Sequence, residues 1–134
     1  MNRDYRVTDP EKRKEYEQQL EQLRKLALVE ITNPDYHITT AINHLCLGNL
    51  DQSINSASSA LLLKSDSFLG WELLATIYFE KEMYPEAYTA FNTAVDNWEK
   101  EDDKEKHLPL AHEIFENIAE CAKLIKIDKE EVSK

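Results

Sequence analysis

Residues 68–96, FLGWELLATIYFEKEMYPEAYTAFNTAVD, leave this chain few folds to choose from. Trp71, Leu74, Ala75 and Tyr78 recur at i, i+3, i+4 and i+7, the spacing of one helix face. Lys81 to Tyr84 interrupts that pattern, and Pro85 can open a new helix in its first turn, where a missing N–H costs nothing. Ala87, Phe91, Ala94 and Trp98 then continue at helical spacing. Two amphipathic helices joined by a few residues form a helical hairpin. A lone hairpin cannot cover its own apolar stripes, so neighbours of the same kind are expected.

A displacement of thirty-four residues finds one neighbour. His37, Thr40, Ala41 and His44 fall on the first stripe, and Ser53, Ala57 and Ala60 on the second. The small positions are retained, as close helix crossing requires, and Gly48-Asn49 falls in the turn. The spacing Trp71-x2-Leu74-Ala75-x2-Tyr78…Ala87-x3-Phe91 resembles the tetratricopeptide repeat (TPR) signature. Ala75 stands where the family usually has Gly, and Glu99 where it often has Pro. The resemblance covers about 34–134, as repeats at about 34–67 and 68–101 and a truncated third at about 109–134. In the third, Phe115, Ile118, Ala119 and Ala122 form the stripe, Lys126-Ile127-Asp128 the turn, and Lys129 begins a second helix. The resemblance implies an all-α, right-handed solenoid of stacked antiparallel hairpins.

Ahead of the repeats, residues 1–9 are polar, without periodicity, and expected to be disordered. Thr8 or Asp9 caps a helix over 10–31, with Pro10 in its first turn. Its stripe is Tyr16, Leu20, Leu23 and Ala27. The helix either caps the repeat stack or forms a short seam with a second copy. Ser65-Asp66-Ser67 caps the helix that opens near Phe68. EKEDDKEK after Trp98 reads as a linker or as the exposed end of a long helix.

Charge narrows the partners. The formal net charge is −10: residues 1–30 hold seven acids and seven bases, while residues 67–134 hold sixteen acids and eight bases. Such a chain repels phosphate backbones, so nucleic acid is not expected. No apolar run is long enough to cross a bilayer, and no secretory leader opens the chain, so a cytoplasmic, reducing setting is expected. Cys46 and Cys121 have no CxxC or zinc spacing. His37 and His44 lie on a stripe expected to pack against the N-terminal helix. His112-Glu113-x-x-Glu116 lacks the second histidine of a zinc helix. No phosphate-cradling or nucleophile motif is present, so neither enzymatic activity, nor a metal, nor a cofactor is expected.

The resemblance implies a concave groove lined by the first helix of each repeat. Its matching positions are Ile38, Ile42 and Leu45, flanked by Asp35, Thr39 and Cys46, in the first repeat. In the second they are Leu69, Glu72, Leu73, Thr76, Phe79 and Glu80. In the third they are Glu113, Glu116 and Glu120, with Asn117 and Lys123 beside them. The clamp by which co-chaperone repeats hold a terminal carboxylate would fall on Ile38, Ile42, Leu73, Glu113 and Asn117, none of them basic. The expected function is therefore a non-enzymatic adaptor or scaffold binding a peptide or helix with an apolar anchor and a basic flank. A small chaperone of secreted proteins, similar in size, acidity and repeat number, is one alternative. An assembly subunit that forms a homodimer through its groove or N-terminal helix is another.

Overall fold

The computed structural model describes residues 5–132. Six α-helices follow one another: α1 (Pro10–Glu30), α2 (Pro34–Leu47), α3 (Leu50–Leu63), α4 (Phe68–Glu80), α5 (Tyr84–Glu99) and α6 (Leu108–Val132). A 3₁₀ turn, Lys104–His107, precedes α6, and no strand occurs among the described residues. The chain divides into two compact units between Asp66 and Ser67.

In the unit holding α1–α3, local chemistry sets each boundary. Asp9 caps α1 by accepting the Glu11 N–H at 3.2 Å, and Asn33 caps α2 by accepting the Asp35 N–H at 3.0 Å. Each leaves a proline in the first turn, where an orphan N–H would otherwise need a partner. Gly48 ends α2 in the left-handed region at φ 79°, and Asn49 N–H closes the turn onto the His44 carbonyl at 2.8 Å. Small residues let α2 and α3 cross closely: Ala41, Ser53, Ala57 and Ala60 are all buried. The Ser53 hydroxyl pays for its burial by donating to the Ala41 carbonyl at 2.7 Å. Helix α1 packs on α2 through its half-buried stripe of Tyr16, Leu20, Leu23 and Ala27, with the Tyr36 hydroxyl donating to the Leu23 carbonyl at 3.0 Å.

Residues 5–9 depart from the disordered tail expected for 1–9. The Val7 N–H donates to the Cys46 carbonyl at 2.7 Å, and the Arg13 guanidinium donates to the Val7 and Leu47 carbonyls at 2.9 and 3.3 Å. The last-turn carbonyls of α2 lack helical partners; Val7 of this segment supplies one and Arg13 of α1 another. Residues 1–4 of that expectation lie outside the described residues.

In the unit holding α4–α6, the Ser67 hydroxyl caps α4 by accepting the Gly70 N–H at 3.0 Å. The core gathers Phe68 and Ala75 of α4, Ala87, Phe91 and Ala94 of α5, and Ile114 and Cys121 of α6. The thirty-four-residue register extends to the backbone. Glu82 adopts φ 61° in the α4–α5 turn, the position equivalent to Gly48 in the α2–α3 turn. After α5 the chain makes a loop, held where the Trp98 indole N–H donates to the Lys104 carbonyl at 3.0 Å. His107 Nδ1 lies 3.0 Å from a Glu101 carboxylate oxygen.

Helix α6 corrects two expectations. It runs unbroken to Val132, so there is no turn at Lys126–Asp128 and no second helix opening at Lys129. Nothing between Lys123 and Glu131 breaks a helix, since the stretch has neither Gly nor Pro. Its buried positions are Ala111, Ile114, Asn117 and Cys121, whereas Phe115, Ala119 and Ala122 are exposed. The apolar face is thus rotated by about one residue, because Phe115 instead packs edge-on against Trp98, with ring centroids 6.4 Å apart.

Candidate protein-interaction site

The expected groove positions divide by burial. In the first unit Ile42 is 43% exposed and Ile38 half-buried, but Leu45 is buried. In the second, Leu69 is 44% exposed, Glu72 and Glu80 are half-buried, and Phe79 packs on the core with its ring 5.3 Å from that of Tyr84. Leu73 and Thr76 are buried, contrary to the expectation that they line an open surface. Five consecutive residues of α4, Leu73 to Ile77, are buried, so its middle turns are covered on every side. Thr76 tolerates this because its hydroxyl bonds the Glu72 carbonyl at 2.9 Å. On α6, Glu116 is exposed and Glu113 and Glu120 are half-buried. Glu120 stands near Tyr84, whose hydroxyl titrates above its ordinary value through burial and the fields of Glu82, Asp128, Cys121 and Glu120.

An open concavity lies elsewhere, on the α4–α5 hairpin. A slot of about 460 Å³ is walled by Trp71, Leu74 and Tyr78 of α4 and by Pro85, Thr89 and Ala90 of α5, with Glu86 as its one carboxylate. Sequence reasoning placed Trp71, Leu74 and Tyr78 on an interior packing stripe. They do pack inward: Leu74 is buried and Trp71 and Tyr78 pack against the core, and the slot opens along their outer edge. Glu86 and Thr89, exposed on the first turns of α5, carried no signal at all.

The first unit has a smaller crevice, about 190 Å³, between α1 and α2. His44, Tyr36 and Thr40 meet Leu20, Leu23, Arg24 and Ala27 there, as expected for His44 packed against the N-terminal helix. Burial lowers the His44 pKa below its ordinary 6.5. The neutral ring suits its neighbours: Nδ1 takes the Asn49 amide at 3.3 Å, and Arg24 is the charged group facing it from α1. Between the folded and unfolded pKa values the unfolded chain binds more protons, so stability rises with pH in that window. The urea midpoint is therefore expected to fall as pH drops from 7 towards 5, and His44→Gln to fall less steeply. Parallel curves for the two chains over that range would contradict this.

Other reactive groups are quiet. Cys121 is buried, and burial, aided by Glu120, pushes its thiol up to about 11, so it remains a protonated core residue. Tyr16 titrates above its ordinary value because of its contact with Cys46. Among the described residues no three His, Cys, Asp or Glu side chains converge to hold a metal, and no helix is long and apolar enough to cross a membrane.

No protein-family model and no curated protein matches the sequence. Solved structures do match its fold. The Yersinia enterocolitica type III secretion chaperone SycD, in complex with a peptide of the translocator YopD, aligns over 84% of this chain and 82% of its own. The TM-score is 0.75 at 16% identity. The TPR domain of Sgt2 from Aspergillus fumigatus aligns over 97% of this chain and 88% of its own, with a TM-score of 0.71 at 15% identity. The fold is that of the tetratricopeptide repeat. MamA protein is a further match to this TPR fold, with a TM-score of 0.61 at 17% identity over 87% of this chain and 64% of its own. Within the TPR register, Ala41 and Ala75, Ser53 and Ala87, Ala57 and Phe91, and Ala60 and Ala94 are equivalent, and all eight are buried.

Proposed function

We propose that the chain is a non-enzymatic adaptor that holds a segment of a partner protein on the α4–α5 hairpin. The observation that carries this is the slot, an apolar cavity of about 460 Å³ with a single carboxylate at its edge. Pockets of a few hundred Å³ with apolar walls and few polar groups are where ligands bind. The slot takes one or two apolar side chains of an incoming segment. Glu86, and the net −8 carried by residues 67–134, favour a basic flank beside that anchor. Two further sets of expected groove positions are proposed, each within its own unit, as contacts for the same class of partner: Ile38 and Ile42 on α2, and Leu69, Glu72, Phe79 and Glu80 on α4 with Glu113, Glu116 and Glu120 on α6.

A chaperone role is the second reading, favoured by the likeness to SycD, a chaperone whose structure holds a translocator peptide. Both readings place the chain in an aqueous, cytoplasmic setting and need neither metal nor cofactor. Exposed ion pairs contribute at most about 1 kcal/mol each, so the anchor supplies affinity while the acids set the encounter rate.

Peptides carrying a Leu or Phe anchor, with Lys/Arg, neutral or Asp/Glu flanks, test this by stopped-flow kinetics across a salt series. The basic flank is expected to bind fastest, its association rate falling about tenfold from low to physiological salt while dissociation changes little. An acidic flank that associates as fast, or rates indifferent to salt, would sink the proposal.

A further inference from the structure

The α4–α5 slot has two chemically different ends. Residues 81–83 connect the two helices, so Tyr78 on the last turn of α4 and Pro85 and Glu86 on the first turn of α5 lie together beside the connection. Trp71 stands seven residues back along α4, about 10 Å by helical rise. With Leu74 and Ala90 it forms the apolar remainder of the same cavity.

Glu86 is exposed, and among the described residues its carboxylate takes neither a hydrogen bond nor an ion pair. The hairpin offers it no spare cation. Residues 68–99 hold six acids, Glu72, Glu80, Glu82, Glu86, Asp96 and Glu99, against one base, Lys81, which has a partner of its own. Helix α6, packed on α5, brings no base to this end either. The Tyr84 hydroxyl there is raised by burial and then by the fields of Glu82, Asp128, Cys121 and Glu120.

We infer that this end of the slot is a subsite for an arginine of the partner, seated beside the apolar anchor. The inference rests on the slot being the partner's site. Arginine matches both features present: its planar guanidinium stacks on an aromatic ring, here Tyr78, and forks onto a carboxylate, here Glu86. Its methylene stem covers apolar wall on the way, at Pro85. A lysine ammonium is a compact, strongly hydrated point charge and matches the carboxylate alone. The length of the slot sets the spacing. In an extended segment, residues i and i+2 lie on one side about 7 Å apart, whereas i and i+1 point to opposite sides. The partner motif is therefore an apolar residue and an arginine separated by one residue, in either chain direction. Glu86 then differs from the other acids of the hairpin, because it acts after docking, on the dissociation rate.

Blocked Ser/Gly octapeptides holding one Leu and one Arg test this, with Trp71 emission as the readout. The protein is the full chain with Trp98→Phe, which leaves Trp71 as its one tryptophan. The better of the orders Leu-x-Arg and Arg-x-Leu should bind about fivefold tighter than the adjacent pairs Leu-Arg and Arg-Leu, which carry the same charge. The difference should lie in dissociation. Glu86→Gln should remove that advantage while changing the affinity of the adjacent-pair peptides by less than about twofold. Replacing Arg by Lys in the better peptide should lose most of it. Equal affinity for spaced and adjacent peptides, an advantage that survives Glu86→Gln, or a lysine peptide that binds as well would overturn the arginine subsite and leave the slot standing as the partner's site. If no peptide shifts the Trp71 emission, the slot itself is not the site, and the subsite falls with it.

Discussion

Phe91→Ala is expected to destabilise the chain by about 3–5 kcal/mol. Phe91 is fully buried at the middle of α5, inside the cluster formed with Phe68, Ala75, Ile114 and Cys121. Its neighbours at this crossing are mostly small, with Ala87, Ala90 and Ala94 on its own helix. Small side chains on rigid helices cannot swing in to fill a vacated volume, so most of the cavity would remain. Domains of this size are stable by about 5–15 kcal/mol in total, so the loss is a large share of the whole. Urea denaturation followed by helical ellipticity should show a much lower midpoint for Phe91→Ala. Asp96→Ala, on the exposed face of the same helix, should change stability by no more than about 0.5 kcal/mol. A loss under about 1 kcal/mol for Phe91→Ala would mean that the core drawn around it is wrong.

Much of this architecture was legible because it is written in side-chain size at fixed intervals. Ala41, Ser53, Ala57 and Ala60 marked the first hairpin although histidines stand on its aromatic positions, since only small residues permit the crossing. Asp9 with Pro10, Ser67, and Pro85 marked helix starts, because capping is a local transaction between a side chain and the next few N–H groups. What was not legible depended on contacts distant in sequence. The tether of residues 5–9 rests on the Cys46 carbonyl, which accepts from Val7 N–H, and on Arg13, which donates to the Val7 and Leu47 carbonyls. The face of α6 was misjudged because Phe115, the largest apolar residue there, was assumed to point inward. The burial of Leu45, Leu73 and Thr76, and the openness of the slot beside Trp71 and Tyr78, depend on which faces are covered, which periodicity does not encode. The Glu82 turn shows the same limit: a positive φ is usually announced by Gly, and here it is not.

The second large effect concerns the slot. Thr89 is exposed, lies on its wall, and its hydroxyl donates to the Pro85 carbonyl within its own helix at 3.2 Å. Arg is a good helix former, so Thr89→Arg should leave stability almost unchanged. Its long side chain would lie across the cavity and its charge would repel a basic flank. Excluding one apolar anchor forfeits about 2–3 kcal/mol, which is roughly a 30- to 150-fold loss of affinity. Thr89→Ser, which adds no bulk, should bind as the wild type does.

Trp71 provides a reporter inside the slot itself, and Trp98→Phe removes the only other tryptophan of the chain. In that background, titration with the basic-flanked, apolar-anchored peptide should shift the Trp71 emission to saturation. The same titration of Thr89→Arg should need at least thirtyfold more peptide. Binding that leaves Trp71 emission unchanged, survives Thr89→Arg and is lost on Leu69→Glu would contradict the slot as the site of the partner's anchor.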